Sequence, residues 1–212
     1  MVEIEPIIPY FRLLFKNMQA EESIYYVNQV FEKLTFPTKG TKETQFESCT
    51  FKNCDFTGIS LAGCNFANTT FEDCNFSMIK FGYIGLDSVH FVGCKMIGSD
   101  FSTVKDFLFH VSFANCILDY AAFMKKKNRK CRFDNCSLKG ADFSEADLTD
   151  SIFDRCDLSN AVFMNSTLNG SNFTTAFNFT IDPERNLLRK AKFSTQGLVG
   201  LLTTYGIIVT DN

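Results

Sequence analysis

Large apolar residues recur at every fifth position along most of the chain. The first run extends from Phe46 to Phe101; after a slip of two residues the pattern resumes at Phe113 and continues to Phe173, with a polar exception at Asn128. A period of five fits neither the 3.6-residue period of a helix nor the two-residue period of a strand. A fixed repeat over most of a chain is typical of a solenoid.

A small residue lies two positions before each large one. All nine cysteines occupy this small position, and Ala, Ser, Thr, Val or Ile fill most of the others. The residue between them is often Asp or Asn, as in Cys54-Asp55-Phe56 and Ala141-Asp142-Phe143. The cysteines are Cys49, Cys54, Cys64, Cys74, Cys94, Cys116, Cys131, Cys136 and Cys156.

The motif resembles that of the pentapeptide-repeat family over roughly residues 26 to 193. The resemblance implies an all-β solenoid, a right-handed quadrilateral β-helix with four repeats per coil. In that fold the large and the small residues point inward, and the residue between them points outward.

A twenty-residue period agrees with four repeats per coil, because residues one coil apart should stack. One predicted column contains only phenylalanine, and a second contains only cysteine at the small position. Nine coils at a spacing of about 4.8 Å predict a rod roughly 40 Å long. The columns are Phe31, Phe51, Phe71, Phe91, Phe113, Phe133, Phe153, Phe173 and Phe193, and Cys54, Cys74, Cys94, Cys116, Cys136 and Cys156.

The composition of the 212-residue chain agrees with a narrow aromatic core. It contains 25 Phe and no Trp, and its formal net charge is −3. No run of eighteen apolar residues predicts a membrane span, and the start has no secretory signal, so we expect a cytoplasmic protein. The odd number of cysteines and the lack of a C-x2-C pair favour buried, reduced thiols over disulfides or a metal site. We expect no cofactor.

Two segments lie outside the repeat region of residues 23–193. Residues 1–22 form an N-terminal extension, in which Pro9–Met18 could be a capping helix; alternatively, Met18 is an internal start. Residues 194–212 predict a helix over Thr195–Tyr205, capped by Ser194 and ended by Gly206, with a terminal strand at Ile207–Val209.

The apolar residues of the C-terminal segment cover more than one narrow stripe. One side must cover the last coil, and the remainder predicts contact with a second copy across a two-fold axis. The segment also looks like the C-terminal helix of Qnr-type pentapeptide-repeat proteins, a resemblance that implies a homodimer through this end. The candidate interface residues are Leu198, Val199, Leu201, Leu202, Tyr205 and Ile207.

Two charged stretches are candidate binding sites. The stretch from Lys125 to Arg132 has six basic residues in eight; it lacks interleaved aromatics, so solvated charge is favoured over a nucleic-acid or phosphate site. The following acidic band is either a partner-binding site or the repeat's ordinary polar position. Its members are Asp134, Asp142, Glu145, Asp147, Asp150, Asp154 and Asp157.

No combination of residues predicts catalysis, since His90 and His110 are isolated and a filled rod offers little space for a substrate. The first hypothesis is a non-enzymatic interaction or structural rod with an unknown partner. The alternative is a Qnr/MfpA-like DNA mimic that binds DNA gyrase or topoisomerase IV and modulates fluoroquinolone susceptibility. A DNA mimic needs a coherent negative field, and Lys80, Lys95 and the basic stretch interrupt it. We expect neither direct nucleic-acid binding nor membrane association.

Overall fold

The structure, a computed structural model, describes residues 24–34 and 44–210, apart from the side chain of Leu108. The predicted capping helix at residues 9–18 lies outside the described residues. The strands are β1 (Ile24–Val27), β2 (Val30–Glu32), β3 (Thr44–Glu47), β4 (Thr50–Lys52), β5 (Asn65–Ala67), β6 (Thr70–Glu72), β7 (Gly85–Val92), β8 (Phe109–Ala114), β9 (Arg132–Asp134), β10 (Ile152–Asp154), β11 (Asn172–Phe173) and β12 (Lys192–Phe193).

The strands of the described residues pair in parallel and, away from the slip, the pairs join residues twenty apart. Phe51 pairs with Phe71, Phe71 with Phe91, and Phe91 with Phe113 across the two-residue slip. Neighbouring rings in this column have centroids 4.7 to 5.3 Å apart. The predicted stack, and with it the right-handed quadrilateral β-helix, is confirmed. There are about eight turns instead of nine coils, because nine stacked members enclose only eight intervals.

Left-handed backbone conformations produce the corners of the four-sided coil. In most repeats the second residue after the large inward one has a positive φ, between 48° and 62° in all non-glycine cases. Asn115, Asn135 and Asp150 are examples, and Asn and Asp adopt this conformation more readily than most residues. The chain therefore turns once every five residues, which explains why the sequence period is neither helical nor that of a long strand.

The small inward position holds hydrogen-bond donors as well as small side chains. All nine cysteines are buried, as predicted, and are unbridged in the structure. The Cys94 thiol donates to the Phe71 carbonyl at 3.3 Å, and the Ser99 hydroxyl donates to the Phe76 carbonyl at 3.0 Å. In both pairs the acceptor belongs to the adjacent coil, so the small residues join successive coils.

The two-residue slip occupies the segment between Val104 and Val111, both buried. Phe109 fills the next large position, so four residues separate it from the small residue Val104 where one is usual. A 3₁₀ turn, Asp106–Leu108, takes up this excess. Only one residue then separates Phe109 from the small residue Val111, where two are usual. The net insertion is two residues, which accounts for the slip in the sequence pattern.

Two polar residues in the following coil compensate for this insertion. Lys126 and Asn128 occupy an inward small and an inward large position, and both are buried. The Lys126 ammonium donates to the Val104 carbonyl and to Asp106 Oδ1, each at 2.7 Å. The Asn128 amide donates to the Val111 carbonyl at 3.3 Å and accepts from the Val111 amide at 3.4 Å. The polar exception at Asn128 is thus coupled to the slip.

A short helical segment follows the last coil. It consists of a 3₁₀ turn at Gln196–Leu198, helix α1 (Val199–Leu202) and a second 3₁₀ turn at Thr203–Tyr205. Gly206 ends it with a left-handed φ of 66°. In the described part of the chain, no helix is long and apolar enough to span a membrane.

Candidate interaction surfaces

The C-terminal helical segment covers the open end of the β-helix. Ser194 begins it as predicted, accepting a hydrogen bond from the Gly197 amide at 3.0 Å. Leu201 packs against the core, and the Ile181 amide donates to the Gly200 carbonyl at 3.0 Å. A Cβ atom on Gly200 would collide with the Phe179 carbonyl. Glycine at this position therefore allows the close approach of the helix.

Apolar side chains remain exposed on the outer side of this segment. Leu201 and Leu202 are half-buried, so the helix uses its inner side to cover the last coil. Ile208 is 87% exposed, and it and Val209 extend the set predicted from the sequence. We call the exposed set the C-terminal surface: Leu198, Val199, Tyr205, Ile207, Ile208 and Val209.

The predicted terminal strand at Ile207–Val209 is wrong, since these residues have no regular secondary structure. All three are exposed and pair with no strand in the described chain. A β-strand needs a partner edge. Here the helical segment lies over the last coil, which ends at β12, and leads the chain away from the sheet.

An open groove of about 770 Å³ adjoins the C-terminal surface. Phe177, Val199 and Thr203 contribute to its walls, and Phe177 and Val199 are themselves exposed. The apolar region therefore continues from the helical segment onto the side of the rod.

The seven residues of the predicted acidic band are distributed around the rod. We number the faces 1 to 4 by the inward residues Phe133, Leu138, Phe143 and Leu148. Asp134 and Asp154 are neighbours on face 1, and Asp157 lies on face 2. Face 3 carries Asp142, and Glu145 follows at its corner; face 4 carries Asp147, and Asp150 follows at its corner. The structure therefore brings together only the first pair.

Basic side chains contact five of these seven acidic residues. Arg129 Nε lies 2.6 Å from Asp147, and Lys139 Nζ lies 3.3 Å from Asp157. Arg132 and Arg155 both contact Asp134 and Asp154, and Lys125 lies 3.8 Å from Glu145. Basic and acidic side chains therefore alternate along the rod.

Hydrogen bonds hold two of these carboxylates in the ionised state. Burial acts to raise the pKa of Asp147, but hydrogen bonds from Thr149 and Arg129 outweigh it, so the pKa lies below its ordinary value. Burial likewise opposes ionisation at Asp157, where hydrogen bonds from Ser159 and Asn178 outweigh it and lower the pKa. Both residues occupy the repeat's polar position, and these hydrogen bonds stabilise the turn at the corner of the coil.

The basic stretch is mostly exposed. Lys126 is buried as described above, whereas Lys125, Lys127, Arg129, Lys130 and Arg132 are exposed. The histidines also lie on the surface: His90 Nδ1 is 2.6 Å from Ser112 Oγ, and His110 Nδ1 is 3.3 Å from Asp87. Within residues 24–34 and 44–210, no three His, Cys, Asp or Glu side chains converge as metal ligands.

Two of the solved structures to which the chain is similar support the fold assignment. Two trypsin-treated variants of QnrB1, a plasmid-mediated fluoroquinolone resistance protein, match with a TM-score of 0.58 and 20% identity. The matches cover 89% and 90% of this chain and 98% and 100% of the QnrB1 chains. HetL, a pentapeptide repeat protein of the cyanobacterium Nostoc involved in heterocyst differentiation regulation, matches with a TM-score of 0.42 and 13% identity over 91% of this chain and 98% of its own.

No curated protein sequence matches the chain significantly. The family model described as the pentapeptide repeat region matches residues 44–123 and 107–195, which together cover well over half of the chain. These matched ranges contain most of the five-residue repeat, eight of the nine stacked phenylalanines and the cysteine column. The chain belongs to the pentapeptide-repeat family.

Proposed function

We propose that the chain is a non-catalytic rod that binds proteins, the first of them a second copy of itself through the C-terminal surface. The observation that carries this proposal is the cluster of exposed apolar side chains at one end of the rod. Such clusters mark interaction sites, and the same surface on two copies can meet across a two-fold axis. The resulting dimer would consist of two equivalent rods in the cytoplasm.

The end-on position of this surface favours self-association there. The repeat region of residues 23–193 supplies the rod, and residues 194–212 supply the interface. Leu201 is used within the chain, so pairing would bury Val199, Ile207 and Ile208 without opening the last coil.

Sedimentation equilibrium of the full chain tests this proposal. We expect the wild type to have twice the chain mass and the Val199→Asp/Ile207→Asp variant to have the chain mass, because dimerisation would bury two carboxylates in an apolar interface. Ile117→Asp is the matched control, since Ile117 is also exposed but lies on face 2. A monomeric wild type, or a dimer unaffected by the paired substitution, would contradict the proposed interface.

A second candidate function is binding to DNA gyrase or topoisomerase IV as a DNA mimic. The similarity of fold to QnrB1 and the helical C-terminus favour it. The alternating ion pairs, such as Lys52 with Glu72 at 2.8 Å and Arg132 with Asp154 at 3.3 Å, favour the general interaction rod. A mimic of duplex DNA requires a continuous negative face.

A DNA supercoiling assay distinguishes these two functions. Purified gyrase is titrated with the protein, with and without a fluoroquinolone. The interaction rod predicts unchanged supercoiling at stoichiometric amounts. Inhibition of supercoiling, or protection from the drug, would establish the second candidate in its place.

A further inference from the structure

Positive charge is concentrated in a short part of this acidic chain. Residues 103–132 contain seven Lys or Arg and two Asp, whereas the whole chain contains 21 basic and 24 acidic residues. These thirty residues form about one and a half coils around the insertion. We call the exposed and half-exposed cations there the basic surface: Lys105, Lys125, Lys127, Arg129, Lys130 and Arg132.

The fold buries one cation of this segment, and the half-exposed Lys105 donates to Asn65 Oδ1 at 3.1 Å. Lys126 is buried and compensates for the insertion. Lys127 and Lys130 are exposed and, among the described residues, contact no carboxylate. The ion pairs of Lys125, Arg129 and Arg132 are solvent-exposed, and such pairs contribute little to stability and open at little cost. The basic surface is therefore available to an anionic partner.

Two exposed aromatic rings lie beside these cations. Phe107, at the tip of the inserted 3₁₀ turn, is 89% exposed, and Tyr83 is 73% exposed. Lys105 Nζ lies 5.1 Å from the centroid of the Tyr83 ring. Asp106, which precedes Phe107, contacts Lys126, which precedes Lys127. A phenyl ring this exposed contributes little to the core.

A groove on face 1 continues the basic surface. It encloses about 450 Å³ and is lined in part by His90, Ser112, Lys130 and Arg132. Asp134 also lines it, with its charge engaged by Arg155. Side chains able to donate to phosphate oxygens thus extend from the insertion around the corner of the rod.

We propose that this surface binds single-stranded nucleic acid, a function beyond protein association. The cations would contact successive phosphates, and the rings of Phe107 and Tyr83 would stack on bases. A duplex keeps its bases paired and offers no free base to an exposed ring. An acidic protein would satisfy the cations but would make no use of two flat, exposed rings. The rings lie outside the basic stretch in sequence, which is why the sequence predicted no nucleic-acid binding.

Fluorescence anisotropy of the full chain with labelled twenty-nucleotide RNA and DNA single strands tests this inference. The comparison probes are a twenty-base-pair DNA duplex and a polyglutamate peptide. We expect both single strands to bind at least tenfold more tightly than either comparison probe at about 50 mM salt, with affinity falling as salt rises. No binding of single strands, or equal binding of polyglutamate, would overturn the proposal.

Matched variants separate stacking from general charge attraction. Lys127→Gln/Lys130→Asn should reduce the slope of the logarithm of the binding constant against the logarithm of the salt concentration by about 1.4, which is 0.7 for each lost phosphate contact. Lys95→Gln/Lys190→Asn is its control, because Lys95 and Lys190 occupy equivalent repeat positions elsewhere. Phe107→Ala should weaken binding on the order of tenfold, and Tyr120→Ala, at an exposed tyrosine on the corner after face 2, should not. If Phe107→Ala binds like the wild type, the proposed recognition is wrong.

Discussion

Cysteine, serine and threonine at the inward small position donate hydrogen bonds to backbone carbonyls of the adjacent coil. The donor and acceptor are 23 residues apart in the regular coils, as in Cys74 with Phe51 at 3.4 Å and Ser166 with Phe143 at 2.9 Å. The position therefore selects for a side chain that is both small and able to donate. Alanine satisfies only the first requirement.

Substitutions of Cys94 test this double requirement. Cys94→Ala should lower the free energy of unfolding by about 1–2 kcal/mol, because it removes a hydrogen bond and leaves a small cavity. Cys94→Ser should cost less, since Ser99 makes the equivalent contact in the same coil. Urea denaturation measures both values, and an alanine variant more stable than the serine variant would contradict this role.

The environment of the thiols predicts a loss of stability at high pH. Burial raises the pKa of the Cys131 thiol well above its ordinary value, and burial also raises the pKa of the Cys49 thiol. The ordinary pKa of a cysteine thiol is 9.0, so as the pH rises these thiols ionise in the unfolded chain before they ionise in the folded chain. Their contribution to the free energy of unfolding is complete below pH 9. Above pH 9 it is lost, by about 1.4 kcal/mol per pH unit for each thiol.

Urea midpoints at pH 8 and pH 10.5 measure this effect. We expect a lower midpoint at pH 10.5 and, in the native protein at pH 8, almost no reaction of the thiols with a disulfide reagent. Denaturation should expose all nine thiols to the reagent. Rapid reaction of several thiols in the native state would contradict their buried, protonated condition.

At the scale of elements, the insertion and the polar pair in the following coil, Lys126 and Asn128, form one structural unit. The sequence showed both irregularities separately, as a two-residue change of phase and as a polar residue at Asn128. Their connection was not predictable from the repeat, because it depends on how far the side chains of Lys126 and Asn128 reach. The hydrogen bond between Asn128 and Val111 spans seventeen residues and only the stacked coils bring the two together.

A double-mutant cycle tests the coupling between the insertion and Asn128. Asn128→Leu restores the repeat but removes the hydrogen bond that the Val111 amide makes with the Asn128 side chain, and it leaves the Val111 carbonyl with the Cys131 thiol as its side-chain donor, so it should cost about 1–3 kcal/mol. In a variant that lacks Asp106 and Phe107, the same substitution should be neutral or stabilising. An equal cost in both backgrounds, measured by urea denaturation, would show that the two irregularities are independent.

The helical segment depends on the glycine that contacts Phe179. Gly200→Ala should displace the segment from the last coil, because the added Cβ meets the backbone carbonyl of Phe179. We expect faster amide exchange throughout residues 196–205. Thr204→Ala, at an exposed position, is the control. Unchanged protection of the helical amides in Gly200→Ala would disprove the close contact.

At the scale of the whole molecule, residues share one face of the rod only when they lie about twenty residues apart in sequence. The fold, the stacked columns and most of the C-terminal helix were predictable because each follows from periodicity or local capping. The acidic residues looked like a band along the chain, but each repeat turns the chain onto a new face. Asp142 and Asp157 therefore lie on different sides of the rod, each among its own cations or donors.

The central claim is that this rod associates end to end through its C-terminal surface. Small-angle X-ray scattering of the wild type and of Val199→Asp/Ile207→Asp tests it most directly. Eight intervals of about 4.8 Å give each copy a repeat region roughly 40 Å long, so we predict that the maximum dimension of the wild type is about twice that of the variant. Equal maximum dimensions, or a wild-type particle of doubled mass but unchanged length, would contradict the end-to-end arrangement.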